Sequence, residues 1–85
     1  MQYTYRTKGV CSRAIYIELD DDNIIRECQF EGGCSGNTQG VAALVIGMDA
    51  DEAIDRLEGI RCGFKSTSCP DQLAKALAQA LEKGE

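Results

Sequence analysis

The chain has 85 residues, of which 44% are hydrophobic and 27% charged, with a single proline and a formal net charge of −5. That length holds one small domain and offers no run of the ~20 apolar residues that a transmembrane helix needs. The acidic balance argues against a phosphate-backbone ligand, which requires a basic stripe, so neither nucleic acid nor membrane is expected as a partner.

The first residues, Met1-Gln2-Tyr3-Thr4-Tyr5-Arg6, carry no apolar signal segment and lead straight into a strand pattern, so a cytoplasmic location with reduced thiols is expected. Tyr3 to Thr7 alternates aromatic and polar residues. Ala14 to Leu19 places Ile15, Ile17 and Leu19 on one face, and Ile24 to Phe30 forms a third segment with Ile24, Cys28 and Phe30 in phase. All three read as strands. Between the last two, Asp20-Asp21-Asp22-Asn23 is a polar turn that closes an antiparallel hairpin. The same acidic run lacks the spacing of a calcium loop.

Beyond Gly32-Gly33 the apolar period lengthens to that of a helix. Val41, Leu44, Val45 and Met48 form the predicted stripe, with Asn37 as N-cap and Gly47 as the stop. Asp49 opens a second helix, with Glu52 placed to complete a capping box, Ala53, Ile54 and Leu57 facing inward and Gly59 at its end. The last helix starts at Cys69-Pro70-Asp71, with proline at the first helical position and Asp71 complementing the positive end of the helix dipole. Leu73, Leu77 and Leu81 with Ala74 and Ala80 make its buried face, opposite Gln72, Lys75, Gln79 and Glu82. Three strands followed by three helices predict an α+β fold, an antiparallel sheet covered on one face by helices.

A domain this short has a marginal apolar core and calls for a staple. Five cysteines are present and no histidine. An odd number cannot be consumed by internal disulfides, and in a reducing compartment such a cluster reads as metal-binding or catalytic. Cys28 lies mid-strand on the apolar face and reads as a buried core thiol. Cys11, Cys34, Cys62 and Cys69 instead fall at the ends of elements, in segments rich in glycine and serine where backbone approaches a ligand closely.

Without histidine no Ser-His or Cys-His nucleophile can be built, so the chain is not expected to be an enzyme on its own. A tetrahedral site would use four thiolates, or three and a carboxylate such as Asp71, a donor set that suits zinc or an iron-sulfur cluster. Cys69, at a helix N-terminus, is the thiol best placed to ionise. Gly32-Gly33-Cys34-Ser35-Gly36-Asn37 leads into a helix but lacks the lysine and glycine spacing of nucleotide loops. Arg6, Lys8 and Arg13 flank Cys11, and Arg61 and Lys65 flank Cys62. Such cations either sit in solvent, hold thiolates ionised or meet an acidic partner.

Thr67-Ser68-Cys69-Pro70-Asp71, followed by Gln72-Leu73-Ala74, resembles the signature of the TSCPD domain family. Gly9-Val10-Cys11, Gly32-Gly33-Cys34-Ser35-Gly36-Asn37 and Gly59-Ile60-Arg61-Cys62-Gly63 agree with the family too. The family occurs as small stand-alone proteins and as a C-terminal appendage of adenosylcobalamin-dependent ribonucleotide reductases. The resemblance therefore implies a metal site at Cys11, Cys34, Cys62 and Cys69. It also implies an accessory or interaction role beside a protein partner such as a ribonucleotide reductase or a redox protein.

A more distant resemblance is to the U-type iron-sulfur scaffold proteins. They share three strands followed by helices, with cysteines matching Cys11, Cys34 and Cys69, and imply cluster scaffolding or transfer as the alternative. Those scaffolds carry a histidine where this chain has Ser68, which leaves Cys62 as fourth ligand and favours a closed zinc site.

Overall fold

The computed structural model describes residues 1–10, 12–32, 35–61 and 63–83. The elements run β1 (Gln2–Arg6), β2 (Ser12–Leu19), β3 (Ile25–Gly32), α1 (Ser35–Val45), α2 (Ala50–Leu57) and α3 (Cys69–Lys83). The strands form one antiparallel sheet in the order β1-β2-β3, each joined to the next by a hairpin. The predicted α+β arrangement is present. α1 packs beside β3, α3 lies across β2 and β1, and α2 packs on α3.

Strand alternation puts Ile15, Ile17 and Leu19 on the covered face, each 2% exposed or less. On that face Tyr3 stands opposite Ile17 and Tyr5 opposite Ile15 from β1. From β3, Phe30 stands opposite Ile15 and Cys28 opposite Ile17. The pattern then shifts. Glu18 pairs with Glu27 but Leu19 pairs with Ile25, so Arg26 is an extra residue in β3. This bulge turns the chain by one position, as such insertions do. Ile25, fully buried, therefore joins the core in place of Ile24, which is half-buried and which strict alternation had assigned to that face.

The Asp20–Asn23 turn is built as the sequence suggests. Asp20 Oδ1 accepts from the N–H groups of Asp22 at 2.9 Å and Ile24 at 3.0 Å. Arg26 binds Oδ2 at 2.7 Å, and Asn23 takes the left-handed conformation with φ 62°. The hydrogen bond from Ile24 is the largest influence on the Asp20 carboxyl; with Arg26 and Asp22 it outweighs desolvation and holds the group below its ordinary value.

Helix α1 departs from expectation in two ways. It starts at Ser35, so Asn37 lies inside its first turn and is not the cap. Its buried face is Thr38, Ala42 and Val45, with Val41 half-buried, while Leu44 is 76% exposed. Against β3 the helix presents small side chains, and Leu44 falls outside the arc that reaches the sheet. Gly47, at φ 87°, ends the helix and donates its N–H to Ile25 C=O at 2.8 Å.

Asp49 caps α2 as predicted, accepting from Asp51 N–H at 2.9 Å. Glu52 turns instead to Arg56, at 3.0 Å, which leaves the capping box half made. Gly59, at φ 85°, follows the end of the helix, and Ala53 is buried with Ile54 and Leu57 half-buried.

On α3, Leu73, Ala74, Ala76, Leu77 and Ala80 are at most 2% exposed, with Leu81 half-buried. Lys75, Gln79 and Glu82 face solvent, but Gln72, placed with them by helical period, is 3% exposed. Tyr3 Oη donates to Gln79 Oε1 at 2.7 Å and ties β1 to the helix that covers it.

Leu77→Ala is expected to cost about 2–5 kcal/mol in urea unfolding, whereas Leu44→Ala stays within about 0.5 kcal/mol. For Asp20 the sign follows from a carboxyl lowered in the folded state. Its contribution is complete above the ordinary value of about 4 and disappears as pH falls through the lower folded value. The stability gap between wild type and Asp20→Asn therefore narrows in urea titrations taken from pH 7 to pH 3; a gap that stays constant contradicts the assignment.

Candidate functional site

Of the five cysteines, Cys28 and Cys69 lie within the described residues and both are buried free thiols. Cys28 is 8% exposed in the core cluster, and desolvation pushes its thiol up to about 12, so at neutral pH it is an uncharged apolar side chain. The core reading holds for it. Cys11, Cys34 and Cys62 lie outside the described residues, but Lys8, Ser12, Gly32 and Ile60, each within three positions of one of them in sequence, come together around the N-terminus of α3.

That N-terminus is built by the serine before Cys69. Ser68 Oγ accepts from Asp71 N–H at 3.1 Å and donates to Ile60 C=O at 2.6 Å, and Ser68 C=O accepts from Gln72 N–H at 2.8 Å. Ser68 is thus the N-cap, Cys69 takes the first helical position and Pro70 the second, one place later than expected. Proline suits that place equally well, since first-turn N–H groups have no partner within the helix. Cys69 is 6% exposed, and its Sγ shares a hydrogen bond of 3.4 Å with Ser12 Oγ, itself 3% exposed.

Ser12 begins β2 and pairs with Gly32 at the end of β3. The loop before it is drawn closed by Thr7, whose Oγ1 donates to Ser12 C=O and whose N–H donates to Arg13 C=O at 3.2 Å. Lys8 N–H donates to Gln72 Oε1 at 3.0 Å, and Gly9 lies against the Thr67 methyl. From the other side, Gly59 N–H donates to Asp71 Oδ1 at 2.7 Å. Thr67 Oγ1 donates to Asp71 Oδ2 and accepts from Gln72 Nε2 at 3.0 Å. Gly9, Gly32 and Gly63 all have positive φ, so a left-handed backbone residue stands within two positions of Cys11, Cys34 and Cys62.

Burial raises the Asp71 carboxyl, but the hydrogen bonds from Thr67 and Gly59 and the charge of Lys75, 3.7 Å away, outweigh it and hold the group below its usual range. Both oxygens accept from protein donors, so Asp71 braces the Gly59 and Thr67 segments against α3. Gln72 and Ser12 complete a set that sequence reasoning did not single out. Helical period gives no sign that Gln72 turns inward, and a serine beside a cysteine carries no signal of its own.

Arg6, Lys8, Arg13, Arg61 and Lys65 are all exposed, and Arg13 meets Glu31 at 3.5 Å. Among the described residues no three cysteine, aspartate or glutamate side chains are grouped to hold a metal, and no helix is long and apolar enough to cross a membrane.

Ser68→Ala removes the cap and leaves Ile60 C=O without its donor; a loss of about 1–2 kcal/mol in chemical denaturation is expected, against little change for the exposed Ser66→Ala.

Comparison with curated proteins and with solved structures finds no match. The family model for the TSCPD domain matches residues 2–81, a span that holds all three strands, α1, α2, all but the last two residues of α3, and the contacts around Cys69. The chain is a member of the TSCPD domain family.

Proposed function

We propose that this domain is a metal-binding module in which Cys11, Cys34, Cys62 and Cys69 hold a structural zinc ion. The observation that supports this is the convergence of described residues on one buried thiol. Ser12, bonded directly to Cys11, reaches Cys69 Sγ. Gly32, two residues before Cys34, pairs with Ser12, and Ile60, two residues before Cys62, is hydrogen-bonded to Ser68. In sequence, Cys11, Cys34 and Cys62 stand one, two and two residues from these anchors.

The donor set fits zinc, which accepts four thiolates in a closed site. Bound zinc would supply the staple that so small a core lacks, since ligation energy is also folding energy. On the resemblance to the iron-sulfur scaffolds, Ser68 takes the place of their histidine, and its hydroxyl caps α3 and donates to Ile60 C=O. An iron-sulfur cluster on the same thiolates, with a role in scaffolding or transfer, is the alternative occupant.

The module serves as an accessory or interaction domain. With no histidine in the chain it lacks the usual means of activating a nucleophile. The exposed cations beside the cysteine segments suit a protein partner with an acidic surface, a ribonucleotide reductase or redox protein being the class that the family suggests.

Protein purified anaerobically from zinc- and iron-replete medium is expected to carry stoichiometric zinc, to lose thermal stability on chelation, and to keep its zinc in Cys28→Val. Replacing the four proposed ligands together by serine abolishes binding and most of the stability. Wild type that is isolated without stoichiometric zinc or iron, and that is no more stable than the four-serine variant, overturns the proposal; stoichiometric iron and sulfide with a cluster absorbance replace zinc by the alternative.

A further inference from the structure

Two adjacent residues of α3 hold two separate loops by the same device. Asp71 Oδ1 accepts from Gly59 N–H at 2.7 Å, and Gln72 Oε1 accepts from Lys8 N–H at 3.0 Å. Gly59 stands three residues before Cys62, and Lys8 three residues before Cys11. Thr67 Oγ1 interlocks the pair, donating to Asp71 Oδ2 and accepting from Gln72 Nε2.

Both side chains are almost wholly buried, at 4% and 3% exposure. Stability alone is a poor reason for this, because burying a carboxylate is costly and apolar residues of similar volume often serve a fold as well. A fully satisfied buried network does supply a single geometry, and among the described residues no buried side-chain polar atom lacks a partner.

We infer that Asp71 and Gln72 are positioning residues for the thiolate site, a clasp that sets the Cys62 and Cys11 segments against the N-terminus of α3 before metal arrives. This rests on the zinc reading above. With the loops already ordered, binding energy is not spent on closing them. Loss of such outer partners typically weakens metal binding by about 10- to 100-fold with the ligands intact.

The test is zinc affinity of the full chain, measured by competition with a chromophoric chelator for wild type, Asp71→Ala, Asp71→Asn and Gln72→Met. Cobalt-substituted spectra and circular dichroism accompany each measurement. Asp71→Ala and Gln72→Met are expected to bind zinc about 10- to 100-fold more weakly, with cobalt spectra still those of an all-thiolate site. Asp71→Asn, which keeps an acceptor for Gly59 N–H, falls between them and wild type. Gln72→Met, close to the original in volume, carries the test if Asp71→Ala does not fold.

Folded variants with wild-type affinity overturn the clasp and leave the zinc site standing. A cobalt spectrum that changes in Asp71→Asn makes Asp71 a ligand and overturns the positioning role. Wild type that binds neither zinc nor cobalt removes the site itself, and the role with it.

Discussion

The constraint on which the molecule depends is that a three-stranded sheet has one apolar face and must cover it. Ile15, Ile17 and Leu19 form the middle of that face, and α3 supplies Leu73, Ala76, Leu77 and Ala80 against it. Once α3 lies across β2 and β1, the position of its first turn is set. That turn sits at the end of the sheet where β2 begins and β3 finishes, because Cys69 meets Ser12 and Ser12 pairs with Gly32. The meeting of Ser12, Gly32 and Cys69 at one pole thus follows from hydrophobic coverage, with the finer placement left to polar contacts.

Those polar contacts give the signature residues separate roles. Thr67 links Asp71 to Gln72, Ser68 caps the helix and holds Ile60, Cys69 presents the buried sulfur and Asp71 holds Gly59. Pro70 occupies a first-turn position where a missing N–H leaves no acceptor unpaired. A short motif of this kind is more demanding than a helix cap, since it must satisfy three separate stretches of chain at once.

What could be read from the sequence and what could not divides along the range of the forces involved. The strands, the α+β order, the Asp49 cap and the buried face of α3 follow from local period and capping chemistry, and all are present. Ile24, Asn37 and Leu44 were misassigned because their environments depend on tertiary structure. A bulge at Arg26 moves Ile25 inward, α1 begins three residues before the Thr38 start that an Asn37 cap would give, and β3 selects the side of α1 that is poor in large side chains. Gln72 was hidden for the same reason, its partner Lys8 being 64 positions away. Within the site, the motif and the core role of Cys28 were legible, whereas Cys11, Cys34 and Cys62 fall outside the described residues.

The bulge and the Asp49 junction have a bearing on how this sheet meets other molecules. Ile25 exchanges hydrogen bonds with Met48 and Gly47, and Ala50 N–H donates to Asn23 C=O, so the outer side of β3 is capped at its start by the turn between α1 and α2. An incoming strand cannot align along β3 from that end without first displacing a helix junction. The opposite border, β1, is five residues long and closes with Arg6, too brief to template a long ladder. Both borders of the sheet are thereby shortened as templates for a further strand.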